Sequence, residues 1–230
     1  MDIARDLHIP LDAEAAFQRQ RELARELDLS SPTRPPRLIG AADVAYAKDG
    51  SDEAYAAVVV LERDTLRVID RADWVGPPAF DYLPGLFALR EAATLVEAFK
   101  KLSTRPDVVL IDGHGIAHPR RFGLACQLGL TFGVPTVGCA KKRLCGKAEP
   151  LGPLHGSRAR VLDKGETIGY ALRTQDGIKP VWVSPGNGYD HASAVDLIMS
   201  VRGEYRIPEP LRQAHNASVE LRAAAVEANG

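Results

Sequence analysis

Aromatic residues make up only 6% of this 230-residue chain, too few for a protein that binds nucleic acid mainly by base stacking. Its three cysteines, Cys126, Cys139 and Cys145, lack the paired spacing of a zinc site. Their odd number and the missing secretory leader point to free thiols in a reducing, cytoplasmic setting. Cys126 and Cys139 lie in apolar segments and read as buried. No apolar run approaches the ~20 residues needed to span a bilayer, so no membrane partner is expected. An excess of one charge is missing too: 29 Lys+Arg against 30 Asp+Glu leave a net charge of −1. Locally that balance breaks. Between Gly113 and Ala148 there is no Asp or Glu, yet Arg120, Arg121, Lys141, Lys142, Arg143 and Lys147 all fall there, leaving 23 basic against 30 acidic residues elsewhere. A cationic segment in an otherwise acidic chain reads as an anion-binding footprint. A solvated charged face is the alternative, but such faces usually mix signs.

Residues 108–121, VVLIDGHGIAHPRR, carry the strongest signal. The run Val108-Val109-Leu110-Ile111 reads as a buried strand. It ends at Asp112, where an open α/β sheet places its ligands. Gly113 and Gly115 allow close approach of backbone or ligand, and Arg120 and Arg121 offer planar forks for phosphate. An ordinary Asp-Gly turn explains the dipeptide, though not the two histidines and two arginines that follow it.

Periodicity and turn signals lay out the rest. Residues 12–28 read as a helix capped by Asp12, and 30–36 as a Pro-rich connector. Strands are expected at 37–45, 54–62 and 66–75, the last two joined as a hairpin. After a loop at 76–84 come a helix at 86–102, the strand ending at Asp112, a helix at 118–130 and a strand at 135–140. A basic loop, 141–155, precedes a hairpin of 166–173 with 179–184. Helices at 192–201 and 208–225 close the chain. Three strands followed by helix–strand–helix–strand predict an α/β fold, a mixed sheet with helices on both faces. No composition break divides residues 1–230. They are expected to form a single domain, with 1–36 as N-terminal helix and connector and 208–230 as C-terminal helix and tail.

Asp43 ends the first strand, Asp112 ends the first crossover strand, and Glu91 lies on the helix between them. If those strands are neighbours, the two aspartates stand side by side at one sheet edge. Paired carboxylates repel unless a cation lies between them, and oxygen ligands favour Mg²⁺ or Mn²⁺. Such a site polarises a phosphodiester and generates hydroxide. Singly, each acid also has an ordinary reading, Asp43 as a strand end and Glu91 as half of a surface helix pair.

The segments GAADVAY (40–46), YLPGLFALRE (82–91), DGHGIAHPRRFGLA (112–125), GCAKKRLCGK (138–147) and YRIPEPLRQAH (205–215) together resemble the endonuclease V family, over roughly residues 38–215. The resemblance implies an RNase H-like fold and Mg²⁺-dependent cleavage of inosine-containing DNA, with Mn²⁺ able to substitute. It implies that Asp43 and Asp112 hold the metal, with Glu91 as third acid, that His215 is catalytic, and that Lys141 contacts the scissile phosphate. Tyr82-Leu83-Pro84 match a wedge that fills the gap left by an extruded base. Gly85, Phe87, Gly113 and His118 match the base pocket, while Arg120 and Lys142 are candidate phosphate contacts from the cationic segment. Extrusion makes chemical sense, since inosine differs from guanine only by a missing amino group that a snug pocket can sense. Asp81 stands where the family's wedge usually begins with proline, and Asn187 where a histidine is common.

The expected product ends are 3′-hydroxyl and 5′-phosphate, from the second phosphodiester 3′ to the lesion, and the protein is expected to be monomeric. An inosine-specific ribonuclease acting on single-stranded RNA, or a catalytically inactive nucleic-acid-binding homologue, are the alternatives. A metal phosphatase with another substrate fits less well, because the basic stretch and wedge suit a polymer.

Overall fold

The computed structural model describes residues 1–10, 12–30, 32–78 and 87–228. After α1 (Ala13–Ala24) the order is β1 (Leu38–Tyr46), β2 (Ala54–Glu62), β3 (Val68–Gly76), α2 (Phe87–Lys100), β4 (Val108–Ile111), α3 (Leu124–Phe132) and β5 (Thr136–Ala140). Then come β6 (Lys147–Ala148), β7 (Arg158–Asp163), β8 (Glu166–Leu172), β9 (Val181–Asn187), α4 (His191–Ser200) and α5 (Glu209–Ala228). The strands form one sheet in the order β3-β2-β1-β4-β5-β9-β8-β7-β6. β1, β4 and β5 are parallel, and antiparallel ribbons extend the sheet on either side. This is the mixed, two-faced α/β sheet the sequence predicts.

The helices cover opposite faces. Ile39, Ala41, Val108, Leu110, Val137 and Cys139 point toward α4 and α5. Val58, Val60, Val109 and Ile111 point toward α2 and α3. β4 and β5 are therefore buried along their whole length, as strands covered on both faces must be. Phe99 of α2 and Phe132 of α3 meet with ring centroids 5.0 Å apart. α1 lies outside this layer, its Leu23 packed with Ile116, Phe122 and Cys126. Asp12 caps it, accepting from the Ala15 N–H at 2.8 Å, as its position before the apolar stripe predicts.

Three elements differ from expectation. The helix expected from residue 118 starts only at Leu124. Before it, the loop docks on β9, with the Ile116 N–H donating to the Pro185 carbonyl at 2.8 Å, and Arg121 adopts φ 58°, which a helix cannot continue through. β7 falls between the expected basic loop, 141–155, and the strand expected from 166, where no element is assigned, although Arg158 and Arg160 alternate with buried Ala159 and Val161, the period-2 signature of a strand. β9 reaches Asn187 and pairs with both β5 and β8, so it is an interior strand as well as half of a hairpin. The aspartate-bearing strands are neighbours as expected, but in the middle of the sheet rather than at its lateral edge.

Candidate active site

Parallel pairing of Ala42 with Ile111 sets Asp43 beside Asp112 in the next register step. Ile111 in turn pairs with Gly138 of β5, which leads on to Lys141. Alternation puts Asp43, Asp112 and Lys141 on the same face as Ala41, Leu110 and Cys139, beneath α5. Lys141 Nζ lies 2.5 Å from Asp112 Oδ2, with side chains 44% and 21% exposed. His215 of α5 approaches Asp43 Oδ2 through Nδ1 at 3.2 Å, with 53% and 12% exposed. The acids are thus sheltered and the two nitrogen groups stand at the opening. Burial pulls the Lys141 ammonium down, but its bond to Asp112 and the charges of Asp112 and Asp43 outweigh this and leave it above its usual range.

Glu91 reaches the same place from α2 on the opposite face. Its carboxyl is pushed up to about 8, first by burial, then by the charges of Asp43 and Asp112, with Lys141 opposing. The three carboxylates named from sequence therefore converge electrostatically. Among the described residues, however, no three His, Cys, Asp or Glu side chains are drawn together into a metal cage. Asp112 is engaged by Lys141, and Asp43 by His215 and Ser218.

Ser218 escapes a reading of the sequence alone. Fully buried, it donates its hydroxyl to Asp43 Oδ2 at 2.6 Å. Its one signal is the three-residue spacing from His215, which puts both on one helix face. Arg206 and His114 are further supports that the sequence does not announce. Arg206 Nη2 donates to the Lys141 carbonyl at 2.6 Å and to the Pro180 carbonyl at 2.8 Å. His114 Nε2 donates to the Lys142 carbonyl at 3.0 Å, so the backbone of Lys141-Lys142 is anchored on both sides while the Lys142 side chain stays exposed. Burial holds His114 below the usual histidine range.

The loop after Asp112 is shaped by glycine. A Cβ on Gly115 would stand 1.8 Å from the Pro185 carbonyl oxygen, and one on Gly138 would stand 2.5 Å from the Gly115 nitrogen. Gly113 differs: a Cβ there would meet only Ile111 and Leu124 side chains, no closer than 3.6 Å, an ordinary contact. His118 is buried, its Nδ1 accepting from the Arg120 N–H at 3.3 Å. Burial, then Arg120, His114 and Arg121, lower it to about 3, so its ring is neutral at pH 7.

The arginine pair divides. Arg121 is taken up by Asp163 at 2.9 Å and Glu166 at 2.8 Å, so the acid-free stretch of sequence meets acids in space. Arg120 stacks 3.9 Å from the Phe17 ring centroid and bonds Gln20. Asn187 pairs with Thr136 at the start of β5, the end away from Lys141, and accepts from the Asp28 N–H at 3.0 Å. It ties the connector after α1 to the sheet. Asp81, Tyr82, Leu83, Pro84 and Gly85 lie outside the described residues. Phe87 opens α2, its side chain likewise outside them.

Asp43, expected to end the first strand, lies inside β1 three residues before its end, whereas Asp112 directly follows β4 and Glu91 comes from α2, the helix that leads into β4. The chain belongs to the endonuclease V family, whose model matches residues 21–216. It is 43% identical over 215 residues to the endonuclease V of Myxococcus xanthus, covering 93% of this chain and 91% of that one. The crystal structure of the Streptomyces avermitilis endonuclease V superposes with a TM-score of 0.87 at 40% identity, over 98% of each chain. A Ciona intestinalis endonuclease V, solved with a 24mer DNA containing an inosine followed by a ribo-adenosine, shares the fold at 24% identity. Its TM-score is 0.76, over 88% of this chain and 94% of that one. Family membership makes this chain a DNA-repair endonuclease, a hydrolase.

Proposed function

We propose that the protein binds inosine-containing DNA and hydrolyses the second phosphodiester 3′ to the lesion with Mg²⁺, leaving 3′-hydroxyl and 5′-phosphate ends. The observation that carries this reading is the parallel register that sets Asp43 beside Asp112, with Glu91 buried within reach of the charges of both. Three carboxyl groups brought this near one another would form an all-oxygen donor set that suits a hard divalent cation. Bound by Asp43, Asp112 and Glu91, Mg²⁺ or Mn²⁺ would supply Lewis-acid polarisation of the phosphodiester and an activated water.

The chain's own groups do the rest. Lys141 exchanges its Asp112 partner for a phosphate oxygen and neutralises charge there. Asp43 holds His215 through Nδ1 and Ser218 braces Asp43 Oδ2, leaving Nε2 to hand a proton to, or take one from, an oxygen of the reacting phosphodiester. Gly113 and neutral His118 border the extruded base with Gly85 and Phe87. Tyr82, Leu83 and Pro84 fill the stack, and Arg120 and Lys142 contact phosphates. The protein acts as a monomer in the cytoplasm, where its three free thiols stay reduced. No helix among the described residues is long and apolar enough to cross a membrane.

Strands of DNA and of RNA carrying one inosine, incubated with the protein in Mg²⁺ or in EDTA, test the reading. Expected is cleavage of inosine DNA at the second 3′ linkage, abolished by EDTA. Exclusive cleavage of the RNA strand would favour the ribonuclease reading. Binding without cleavage of either strand would favour an inactive homologue.

A further inference from the structure

A groove of about 440 Å³ runs between α1, the 116–121 loop and the turn joining β7 to β8, lined among others by Arg21, Arg25, Ile116, Arg120 and Lys164. Its charge is sorted by the helix. Glu22 of α1 and Glu26 just beyond its C-cap are paired with Arg19 and Arg5. Arg21 and Arg25, four residues apart and so on one face, turn toward the groove and are exposed. Neither they nor Lys164 form an ion pair among the described residues. Glu166, the acid among the lining residues, is taken up by Arg121, which also holds Asp163.

Arg120 is set in place by its stack on Phe17 and its bond to Gln20. Its guanidinium is held below its usual range by burial and by the charge of Arg21, so like charges are gathered along this wall. In a chain with net charge −1, such a concentration of cations suits an anionic ligand. The loop that forms one wall also carries His118, which places the groove next to the proposed base pocket.

We propose that this groove is a second nucleic-acid contact, taking the phosphate backbone of one flank of the DNA beyond the cleavage site. The inference rests on the proposed inosine-DNA reading and adds a path for the strand. It makes affinity depend on duplex length on one side of the lesion only. Neutralising one side chain that binds a duplex phosphate flattens the log–log salt dependence of affinity by about 0.9.

The test is fluorescence anisotropy with single-inosine duplexes, trimmed stepwise on the 5′ or the 3′ side, in EDTA at several salt concentrations. Wild type and Arg21→Gln/Arg25→Gln/Lys164→Gln are compared, with Lys164→Glu as a single-site variant at an exposed position. Expected is a salt slope shallower by about 2 to 3 in the triple variant on the long duplex. The difference should vanish when one particular flank is removed, and Lys164→Glu should weaken the long duplex selectively. An unchanged slope, or an equal loss on long and trimmed duplexes, overturns the proposal. Wild-type cleavage in Mg²⁺, run in parallel, reports the catalytic reading separately, because the anisotropy slope does not depend on it.

Discussion

Gly113 and Gly115 stand two residues apart and answer to different demands. Gly115 lies against the Pro185 carbonyl, so any side chain collides with backbone, whereas a methyl at Gly113 meets only ordinary contacts. The fold thus requires one glycine, while the other is left to the proposed base pocket. Gly113→Ala is expected to cost less than about 1 kcal/mol in urea unfolding while slowing cleavage of inosine DNA at least tenfold. Equal cleavage by the variant would remove Gly113 from the base pocket. His118 gives a pH signature. Below pH 6.5 the unfolded chain takes up a proton that buried His118 refuses until about pH 3. The unfolded state then binds more protons, and stability falls as pH drops, by about 1.4 kcal/mol per unit. Between pH 6.5 and 5 this amounts to about 2 kcal/mol, which His118→Gln should remove from the acid-side slope of wild type. A variant as acid-sensitive as wild type would contradict the burial of a neutral ring.

At the scale of elements, the 112–123 loop is the part that joins fold to chemistry. Its docking through Gly115 onto β9 predicts that Gly115→Ala destabilises by about 3 kcal/mol or more, read as a drop in thermal midpoint, against the small effect at Gly113. This loop is also where the sequence is least legible. Strands β2 and β4 and the cap of α1 follow from local pattern, because apolar runs and an N-cap act within a few residues. The late start of α3 does not, since the competing bonds come from β9, some 70 residues away. Asp112 can be named from its place just past a strand and Glu91 from the helix leading into it, whereas Asp43, expected at a strand end, sits inside β1. Ser218 and Arg206 cannot, because a positioning residue is defined by what it touches. The departure at Asn187 loses its mechanistic weight for the same reason: the residue braces Asp28 at the far end of β5.

The whole molecule is a sheet whose two helical faces meet at one set of strand ends, α5 bringing His215 and Ser218 from one side and α2 bringing Glu91 from the other. A cation bound there would tie β1, β4 and α2 together and stabilise the folded state by mass action. Millimolar Mg²⁺ should therefore raise the thermal midpoint of wild type and leave that of Asp43→Asn unmoved; equal shifts in both would place the ion elsewhere. The central claim, that these acids form the cation site of a phosphodiesterase acting beside inosine, is tested most directly by Asp112→Asn. Binding to a single-inosine duplex in EDTA and single-turnover cleavage in Mg²⁺ would be measured on the same preparation. The account predicts affinity within about threefold of wild type and cleavage slower by about a hundredfold or more. Near-wild-type cleavage by the folded variant would contradict it.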